Sequence, residues 1–254
     1  MERIKERVKQ YWTRRARDFS DVRRMELKDE ISGRWLEEIR KYLPKEKRLK
    51  ILDVGTGAGY FAVLLAKEGH EVWGVDITPA MIEEAKKLAA DCQEAICFQV
   101  MDAQKLEFPD EMFDAVIARN LTWTLPQPHK AYREWLRVLS KGGVLLNFDA
   151  DYGREVFQME SEQGEKTRSS SGYHKGLTEE LLMESDQITK AMDISRNRRP
   201  EWDLFVLRDL GVQSCECDTG AGARILREQN GKAAPTFLIT VRKQGESNEA
   251  VRGK

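Results

Sequence analysis

The chain shows two hydrophobic patterns, one typical of buried strands and one typical of helices that bury a single face. Residues 51–54 form a short apolar, partly β-branched run, which predicts a buried parallel strand. Three alternate glycines follow, and then an apolar segment at 60–66 predicts a helix that ends near Gly69. Further apolar runs predict four more strands, at about 72–76, 96–101, 113–118 and 144–150.

Helical spacing appears before, between and after these runs. Ile31, Trp35, Ile39 and Tyr42 recur four, four and three residues apart, which predicts a core-facing helix that stops before Pro44. Other helices are predicted at about 1–20, 80–90, 132–139, 177–189 and 201–210.

Composition divides the chain into five segments. The stretch 158–172 is polar, contains glycine and serine, and has no period that builds a core. We expect a substrate-binding lid in this region, and the alternative is a surface decoration. The expected segments are a helical cap over 1–48, a core over 49–150, a lid insertion over 151–199, the end of the core fold over 200–243, and a disordered tail over 244–254.

Charge is balanced overall but uneven along the chain. Lys plus Arg total 42 and Asp plus Glu total 43, so no bulk charge favours nucleic acid or a membrane. Residues 1–50 nevertheless carry 17 basic and 10 acidic side chains. This excess predicts either a solvated, charge-laced helical face or attraction to an anionic substrate or RNA.

The sequence predicts a cytoplasmic protein. No apolar run approaches the roughly 18 residues that a membrane span needs, and the charged start lacks a signal-peptide core. Free thiols are therefore expected, and no metal site is predicted. The cysteines are Cys92, Cys97, Cys215 and Cys217.

The candidate chemistry lies in the glycine turn after the first strand. Gly55, Gly57 and Gly59 allow positive φ and let a ligand approach the bare backbone, and the following helix begins with unpaired N–H groups. A dinucleotide-binding turn would place its third glycine where Tyr60 stands. Tyr60 in place of that glycine, together with the Gly-Gly turn at 142–143 before the fifth strand, argues against an NAD-dependent oxidoreductase.

The pattern from Asp53 to Gly59, Asp-x-Gly-x-Gly-x-Gly, resembles motif I of the class I S-adenosylmethionine (SAM)-dependent methyltransferases. Later segments resemble the other motifs of that family in the right order. They are the acidic end of the second strand at Asp76, the third-strand motif at 98–104, the fourth-strand motif at 113–120, the helix, Gly-Gly turn and fifth strand at 135–149, and the final antiparallel pair at 211–218 and 236–242.

The resemblance implies an α/β fold, a three-layer sandwich around a mostly parallel seven-stranded sheet in the order 3-2-1-4-5-7-6. The last strand is antiparallel, helices cover both faces, and a helical lid is inserted. The implied cofactor is SAM, with S-adenosylhomocysteine as the product.

The resemblance also implies roles for individual residues. Asp76 is expected to accept the ribose hydroxyls, Asp102 and Ala103 to lie near adenine, and Asp53 to orient the glycine loop. Met81 is equally suited to filling the core. The residues expected to bind the cofactor are Tyr11, Arg15, Asp53, Gly55, Thr56, Gly57, Gly59, Asp76, Ile77, Met81, Asp102, Ala103, Gln104, Arg119 and Asn120.

Candidates for the acceptor pocket are Trp12, Trp123 and Tyr152. Trp12 has a packing alternative as the apolar face of a surface helix, and Trp123 as a residue buried under a proline-rich loop. Asp149, at the tip of the fifth strand, and His174, in the insertion, are the candidate proton acceptors. The alternative for Asp149 is a turn or capping carboxylate, and the alternative for His174 is an inert loop histidine.

We therefore expect a methyltransferase that passes the methyl group of SAM to a small molecule by in-line displacement. The alternatives are an RNA methyltransferase and a SAM-binding protein without catalysis. The expected partner is the small-molecule acceptor, with no nucleic acid and no membrane, and the expected assembly is a monomer or a homodimer.

Overall fold

The computed structural model describes residues 1–45, 48–161, 176–227 and 236–244. The strands are β1 Lys50–Val54, β2 Glu71–Asp76, β3 Cys97–Val100, β4 Phe113–Arg119, β5 Leu139–Ala150, β6 Cys215–Asp218 and β7 Thr236–Arg242. The helices are α1 Glu2–Glu26, α2 Glu30–Arg40, α3 Tyr60–Lys67, α4 Pro79–Cys92, α5 Pro128–Val138, α6 Tyr152–Ser161, α7 Glu179–Ala191, α8 Glu201–Asp209 and α9 Ala221–Leu226. Short 3-10 helices span Thr122–Thr124 and Asp193–Arg196.

The described strands form one seven-stranded sheet in the order β3-β2-β1-β4-β5-β7-β6. β7 is antiparallel to both of its neighbours, and β1 to β5 are parallel. Ile51 in β1 pairs with Val72 on one side and Ala115 on the other. Because parallel strands end at the same edge of a sheet, the loops that follow β1 to β5 collect there. The predicted fold class is confirmed.

Alternate residues of the central strands enter two different cores. Leu52 and Val116 face the layer that contains α5 and α8, whereas Ile51 and Ile117 face the layer that contains α2, α3 and α9. All four side chains are completely buried. A parallel sheet has to be covered on both faces, so this alternation produces the three-layer sandwich.

The fifth strand begins earlier than the sequence predicts. β5 starts at Leu139, and the glycines expected to form a turn before it lie within it as a bulge. Pairing with β4 passes from Phe113–Leu139 to Ala115–Val144. Gly142 has a φ of 78°, and its N–H donates to the carbonyl of the residue that follows β7, at 2.8 Å. The bond to this neighbouring chain segment keeps the glycines in the sheet.

The helices differ from the prediction at three places. α1 runs to Glu26 rather than ending near residue 20. α6 begins directly after β5, and the N–H of Arg154 donates to the carboxylate of Asp151 at 3.1 Å in its first turn. α9 packs Ala221 and Ile225 against the core beneath α2. α6 and α9 have 10 and 6 residues, which is too short for a clear hydrophobic period.

A third apolar cluster, here called the lid cluster, joins α1 to the predicted insertion. Its buried members are Val8, Tyr11, Trp123, Leu181, Ile188, Met192 and Ile194. Arg7 of α1 binds both carboxylate oxygens of Glu184 in α7, at 2.6 and 2.9 Å. Since Trp123 belongs to the loop after β4, the cluster lies at the carboxyl edge of the sheet.

Candidate functional site

The glycine loop after β1 adopts the positive-φ conformation for which glycine is suited. The φ angles are 67°, 52° and 83° at Gly55, Gly57 and Gly59. A Cβ atom at Gly55 would lie 2.6 Å from a side-chain carbon of Leu121, and one at Gly57 would lie 3.2 Å from the ring of Phe19. The loop thus presents bare backbone between α1 and the loop after β4.

Asp53 ties this loop to α3. Its Oδ2 accepts hydrogen bonds from the Thr56 hydroxyl at 2.6 Å and from the Ala62 N–H at 3.1 Å. Asp53 is 2% exposed, and burial raises its pKa to about 7 although both hydrogen bonds oppose the rise. This geometry supports the loop-orienting role, and contact of Asp53 with the cofactor itself stays a prediction.

Asp53→Asn is expected to flatten the pH dependence of stability. A carboxyl group whose pKa rises from 3.8 to about 7 on folding binds more protons in the native protein than in the unfolded chain between those values. The wild-type free energy of unfolding therefore falls as pH rises through this range, by up to about 4 kcal/mol, and levels off above it. Asparagine keeps an acceptor oxygen but does not titrate.

Urea unfolding at about pH 5 and about pH 8 checks this expectation. The variant should gain stability relative to the wild type at the higher pH. A difference between the two proteins that stays constant with pH would contradict the raised pKa of Asp53.

Asp76 ends β2 with its carboxylate beside the glycine loop. Its Oδ2 accepts from the Gly57 N–H at 3.1 Å and its Oδ1 from the Thr78 N–H at 2.8 Å. Burial raises the pKa of Asp76, and these two hydrogen bonds oppose the rise. Each oxygen has a further lone pair, so the carboxylate can still accept two hydroxyl groups. Ile77 is half-buried, and Met81 is 2% exposed, as a core residue would be.

The loop after β3 places a second acidic group near the first. The N–H of Met101 donates to the carbonyl of Asp76 at 3.0 Å, so Asp102 follows directly beside the end of β2. Asp102 Oδ1 accepts from the backbone and side-chain N–H groups of Gln104, at 2.9 and 3.0 Å. Ala103 is buried. Backbone and side-chain hydrogen bonds therefore fix this loop before any ligand binds.

Lys5 is a site residue that the sequence does not single out. Its Nζ lies 2.7 Å from Asp102 Oδ2, which connects the start of α1 to the tip of β3. Burial alone would raise the pKa of Asp102, but the bonds from Lys5 and Gln104 hold it below its usual value. An adenine beside Asp102 has to share this carboxylate with Lys5. The partners are so far apart along the chain that no local spacing reveals them.

Arg119 and Asn120 end β4, and their side chains diverge. The Arg119 guanidinium carbon lies 4.3 Å from the ring centroid of Trp35, and its Nη1 lies 3.6 Å from Glu26 Oε2. Asn120 has a φ of 52° and an exposed side chain, and its N–H donates to the Phe148 carbonyl at 2.7 Å. The amide of Asn120 is accessible to a ligand, whereas Arg119 turns toward α1 and α2.

The three predicted pocket residues meet at the lid cluster. Trp123 is 8% exposed, its ring centroid lies 5.1 Å from that of Tyr152, and its Nε1 donates to the Asn120 carbonyl at 2.9 Å. Trp12 contacts Tyr11 edge to face at 5.2 Å. Trp123 is therefore buried, as its packing alternative expects, with Tyr152 as its aromatic neighbour, and Trp12 packs against the same cluster. Trp123 and Tyr152 place aromatic side chains next to Asn120.

The structure argues against the catalytic role predicted for Asp149. Its Oδ2 accepts from the Thr122 N–H at 3.1 Å and lies 3.2 Å from Arg199 Nη1, and its Oδ1 accepts from the Ala150 N–H at 2.8 Å. Burial raises the pKa of Asp149, with Arg199 and Thr122 opposing the rise. A substrate proton has no route to a carboxylate enclosed in this way. We infer that Asp149 positions Thr122 in the loop after β4.

Arg199 organises the buried network around Asp149, although it stands at the end of the basic run 196–199. The side chain is 2% exposed and donates to both oxygens of Asp203 at 2.8 Å and to the Thr122 hydroxyl at 2.6 Å. Asp203 also accepts from the Tyr132 hydroxyl at 2.7 Å. The four-residue spacing of Arg199 and Asp203 is a local sequence signal for this pair. The partners on β5 and α5 leave no such signal, because they are distant along the chain.

The remaining candidates divide between α1 and the chain outside the described residues. Tyr11 and Arg15 are both buried on α1. His174 and residues 245–254 of the predicted tail lie outside the described residues.

Within the described ranges, no group of three or more His, Cys, Asp or Glu side chains could hold a metal ion. Over the same ranges, no helix has the length and apolar character needed to cross a membrane.

The residues at this edge of the sheet fit SAM. Gly55 leaves no room for a side chain, and the carboxylates of Asp76 and Asp102 follow adjacent strands. A bare glycine turn suits the close approach of a ligand, and a carboxylate at the tip of the second strand suits a ribose. When bound, SAM supplies an activated methyl group on a cationic sulfur.

Known proteins are similar to this chain over the same region. Residues 52–147 match the family model for a methyltransferase domain. The uncharacterized methyltransferase YcgJ of Bacillus subtilis is 28% identical over 201 residues, which cover 78% of each chain. The ubiquinone/menaquinone biosynthesis C-methyltransferase UbiE of Bordetella avium is 30% identical over 56% of this chain and 60% of its own. The 27-O-demethylrifamycin SV methyltransferase of Amycolatopsis mediterranei is 28% identical over 73% and 71%.

Structural similarity to solved proteins covers more of the chain than the matched domain does. A solved structure from Methanococcus maripaludis, described as a SAM-dependent methyltransferase, aligns with a TM-score of 0.62 over 93% of this chain and 95% of that one. Its identity to this chain is 17%, so it supports the fold alone. Residues 52–147 therefore form a methyltransferase domain, and the motif residues at the carboxyl edge and the sequence relatives make the chain similar to the class I SAM-dependent methyltransferases.

Proposed function

We propose that the protein transfers the methyl group of SAM to a small aromatic or largely apolar molecule. The observation that carries this proposal is the contact between the glycine-loop edge and the lid cluster. Asn120 lies at the end of β4, and its carbonyl accepts a hydrogen bond from the ring of Trp123 at 2.9 Å. A ligand on the glycine loop therefore has an aromatic surface as its neighbour.

The named relatives support a small acceptor. UbiE is a methyltransferase of quinone biosynthesis, and the Amycolatopsis relative methylates a rifamycin. Both names imply small-molecule acceptors, and that of UbiE implies a quinone precursor. A quinone-type ring suits the aromatic side chains of Trp123 and Tyr152, and Trp12 packs against the same cluster.

The chain contributes positioning to this reaction. Methyl transfer from a sulfonium requires the nucleophile and the methyl carbon to be held in line, and such alignment supplies roughly 7–11 kcal/mol of barrier reduction. α1 and α7 exclude water from the edge where Trp123 lies, because they bury the lid cluster above it. Asp149 is enclosed, so the proposal assigns no proton transfer to it.

An RNA acceptor is not favoured by the charges of α1. Arg7 and Arg14 pair with Glu184 and Glu180 of α7, and Arg23 is buried. Few basic groups of this helix therefore remain to bind a phosphate backbone, which is the main source of nucleic-acid affinity. The cytoplasmic location and the choice between monomer and homodimer stay predictions.

Release of S-adenosylhomocysteine tests the proposal. The protein is incubated with SAM and a panel of catechols, hydroquinones, aromatic amines and bulk RNA, with a no-acceptor control and a Trp123→Ala variant. We expect turnover with at least one ring compound, reduced about tenfold or more in the variant, and none with RNA. Turnover with RNA alone, or none with any acceptor from a protein that binds SAM, would contradict the proposal.

A further inference from the structure

Lys5 of α1 occupies a carboxylate at the carboxyl edge of the sheet. Its Nζ lies 2.7 Å from Asp102 Oδ2, and the two side chains are 18% and 23% exposed. Burial alone would lower the pKa of Lys5, but the contact with Asp102 raises it above its usual value, so the ammonium group stays charged. A lysine is seldom buried to this extent unless it is paired. The contact therefore places a cation at the tip of β3.

The base of a nucleoside bound at Asp76 lies next to the same carboxylate. The N–H of Met101 donates to the Asp76 carbonyl at 3.0 Å, which holds the tips of β2 and β3 together. Gly57, in the loop after β1, donates to the Asp76 carboxylate from the other side of β2. A base attached to a ribose at Asp76 therefore extends toward β3, where Asp102 can accept a hydrogen bond from the amine of adenine.

Lys5 and the base amine need the same oxygen atom. Asp102 Oδ1 accepts the backbone and side-chain N–H groups of Gln104, at 2.9 and 3.0 Å, and these bonds use both of its lone pairs. Oδ2 is the oxygen that remains for the base, and Lys5 Nζ lies within hydrogen-bond distance of it. Since the ammonium group and the base amine are both donors, they compete for this oxygen.

Glu2 offers the ammonium group of Lys5 a second partner. Glu2 Oε1 lies 3.5 Å from Lys5 Nζ, and the Glu2 side chain is 90% exposed. The two residues are one turn apart on α1. A lysine ammonium stands on a flexible four-carbon stem, so it can turn from Asp102 to Glu2 without movement of the helix. The first turn of α1 thus provides two positions for one cation.

We propose that Lys5 competes with the base amine of SAM for Asp102 and turns to Glu2 when the nucleoside binds. The inference rests on the proposed function, because it takes the nucleoside of SAM as the ligand at this edge. The competition lowers the affinity for a base that carries the amine and does not act on a base that lacks it. Lys5 is therefore a specificity-determining residue. Because S-adenosylhomocysteine has the same base, the competition also promotes release of the product.

Calorimetric titration of the full chain tests the inference. The ligands are S-adenosylhomocysteine and its analogue with purine in place of adenine, which lacks the base amine. Both have an uncharged thioether, so loss of a cation does not act through repulsion of a sulfonium. Lys5→Met is expected to bind S-adenosylhomocysteine about three- to tenfold more tightly than the wild type, with the affinity for the purine analogue unchanged within about twofold.

Lys86→Met is the matched control, because it removes the same group from an exposed ion pair with Glu83 on α4. It should leave both affinities within about twofold of the wild type. The proposal is overturned if Lys5→Met binds S-adenosylhomocysteine no more tightly than the control does. It is also overturned if both ligands gain equally, since a looser α1 or a changed charge would act on both.

The same titrations separate this inference from the proposed function. If the affinities shift as expected but no acceptor is methylated, the competition at Asp102 stands and the proposed function fails. If the folded wild type binds neither ligand, the nucleoside site itself is wrong, and this inference is overturned with it.

Discussion

Replacing Arg199 with leucine is expected to lower the free energy of unfolding by about 3–5 kcal/mol. Arg199 is the cation between two fully buried carboxylates, those of Asp149 and Asp203. Removing it leaves both acids without their charged partner in a desolvated place. The Thr122 hydroxyl also loses its bond from Arg199, so the loop that carries Trp123 should loosen.

Arg198→Leu is the matched control for this experiment. Arg198 is the preceding residue, but its side chain is 82% exposed and pairs with Glu201 at the surface. Its loss should change stability by no more than about 0.5 kcal/mol. Adding Asp149→Asn to Arg199→Leu should recover part of the loss, because one unpaired charge disappears. Equal urea midpoints for the two leucine variants would contradict the network.

Replacing Asp76 with alanine is expected to weaken SAM binding about a hundred- to a ten-thousandfold. The carboxylate lies at the tip of β2 and can accept two ribose hydroxyls, and hydrogen bonds to a charged group contribute about 1.5–3 kcal/mol each. Alanine also frees the N–H groups of Gly57 and Thr78. Because burial raises the pKa of Asp76, ionising it opposes folding, and the variant should remain folded.

Two further variants separate the ribose contact from the support of the loop. Asp76→Asn keeps one acceptor oxygen for the backbone N–H groups and should weaken SAM binding by a smaller factor. Asp209→Ala removes an exposed carboxylate on α8 that lies 3.3 Å from the ring of His129, and it should not alter SAM binding. Wild-type affinity in Asp76→Ala would refute the ribose assignment.

The parts of the site that could be predicted are formed by residues that are neighbours in the sequence. The strand run before Gly55, the glycine spacing and the acidic end of β2 at Asp76 each occupy a few neighbouring residues. Their place in the fold then follows from the parallel order of the strands, because every strand ends at the same edge. The carboxyl-edge location of Asp102 and Asn120 is predictable for the same reason.

The parts that could not be predicted depend on contacts across long stretches of chain. Arg23 resembles a residue of a solvated charged helix, yet it is buried against Glu26 and the ring of Phe19. Arg199 belongs to a basic run, yet its side chain is enclosed. The neighbouring residues in the sequence do not distinguish a buried charged side chain from an exposed one. Asp149 is a related case. Its position at the tip of β5 predicts access to the carboxyl edge of the sheet, but it does not reveal that Arg199 encloses the carboxylate.

The most direct test of the cofactor site is calorimetric titration of the intact protein with SAM, S-adenosylhomocysteine and NAD. We expect micromolar binding of the two SAM forms, loss of that binding in Asp76→Ala, and no binding of NAD. Binding of NAD alone, or of none of the three by folded protein, would contradict the assignment of the glycine loop to SAM.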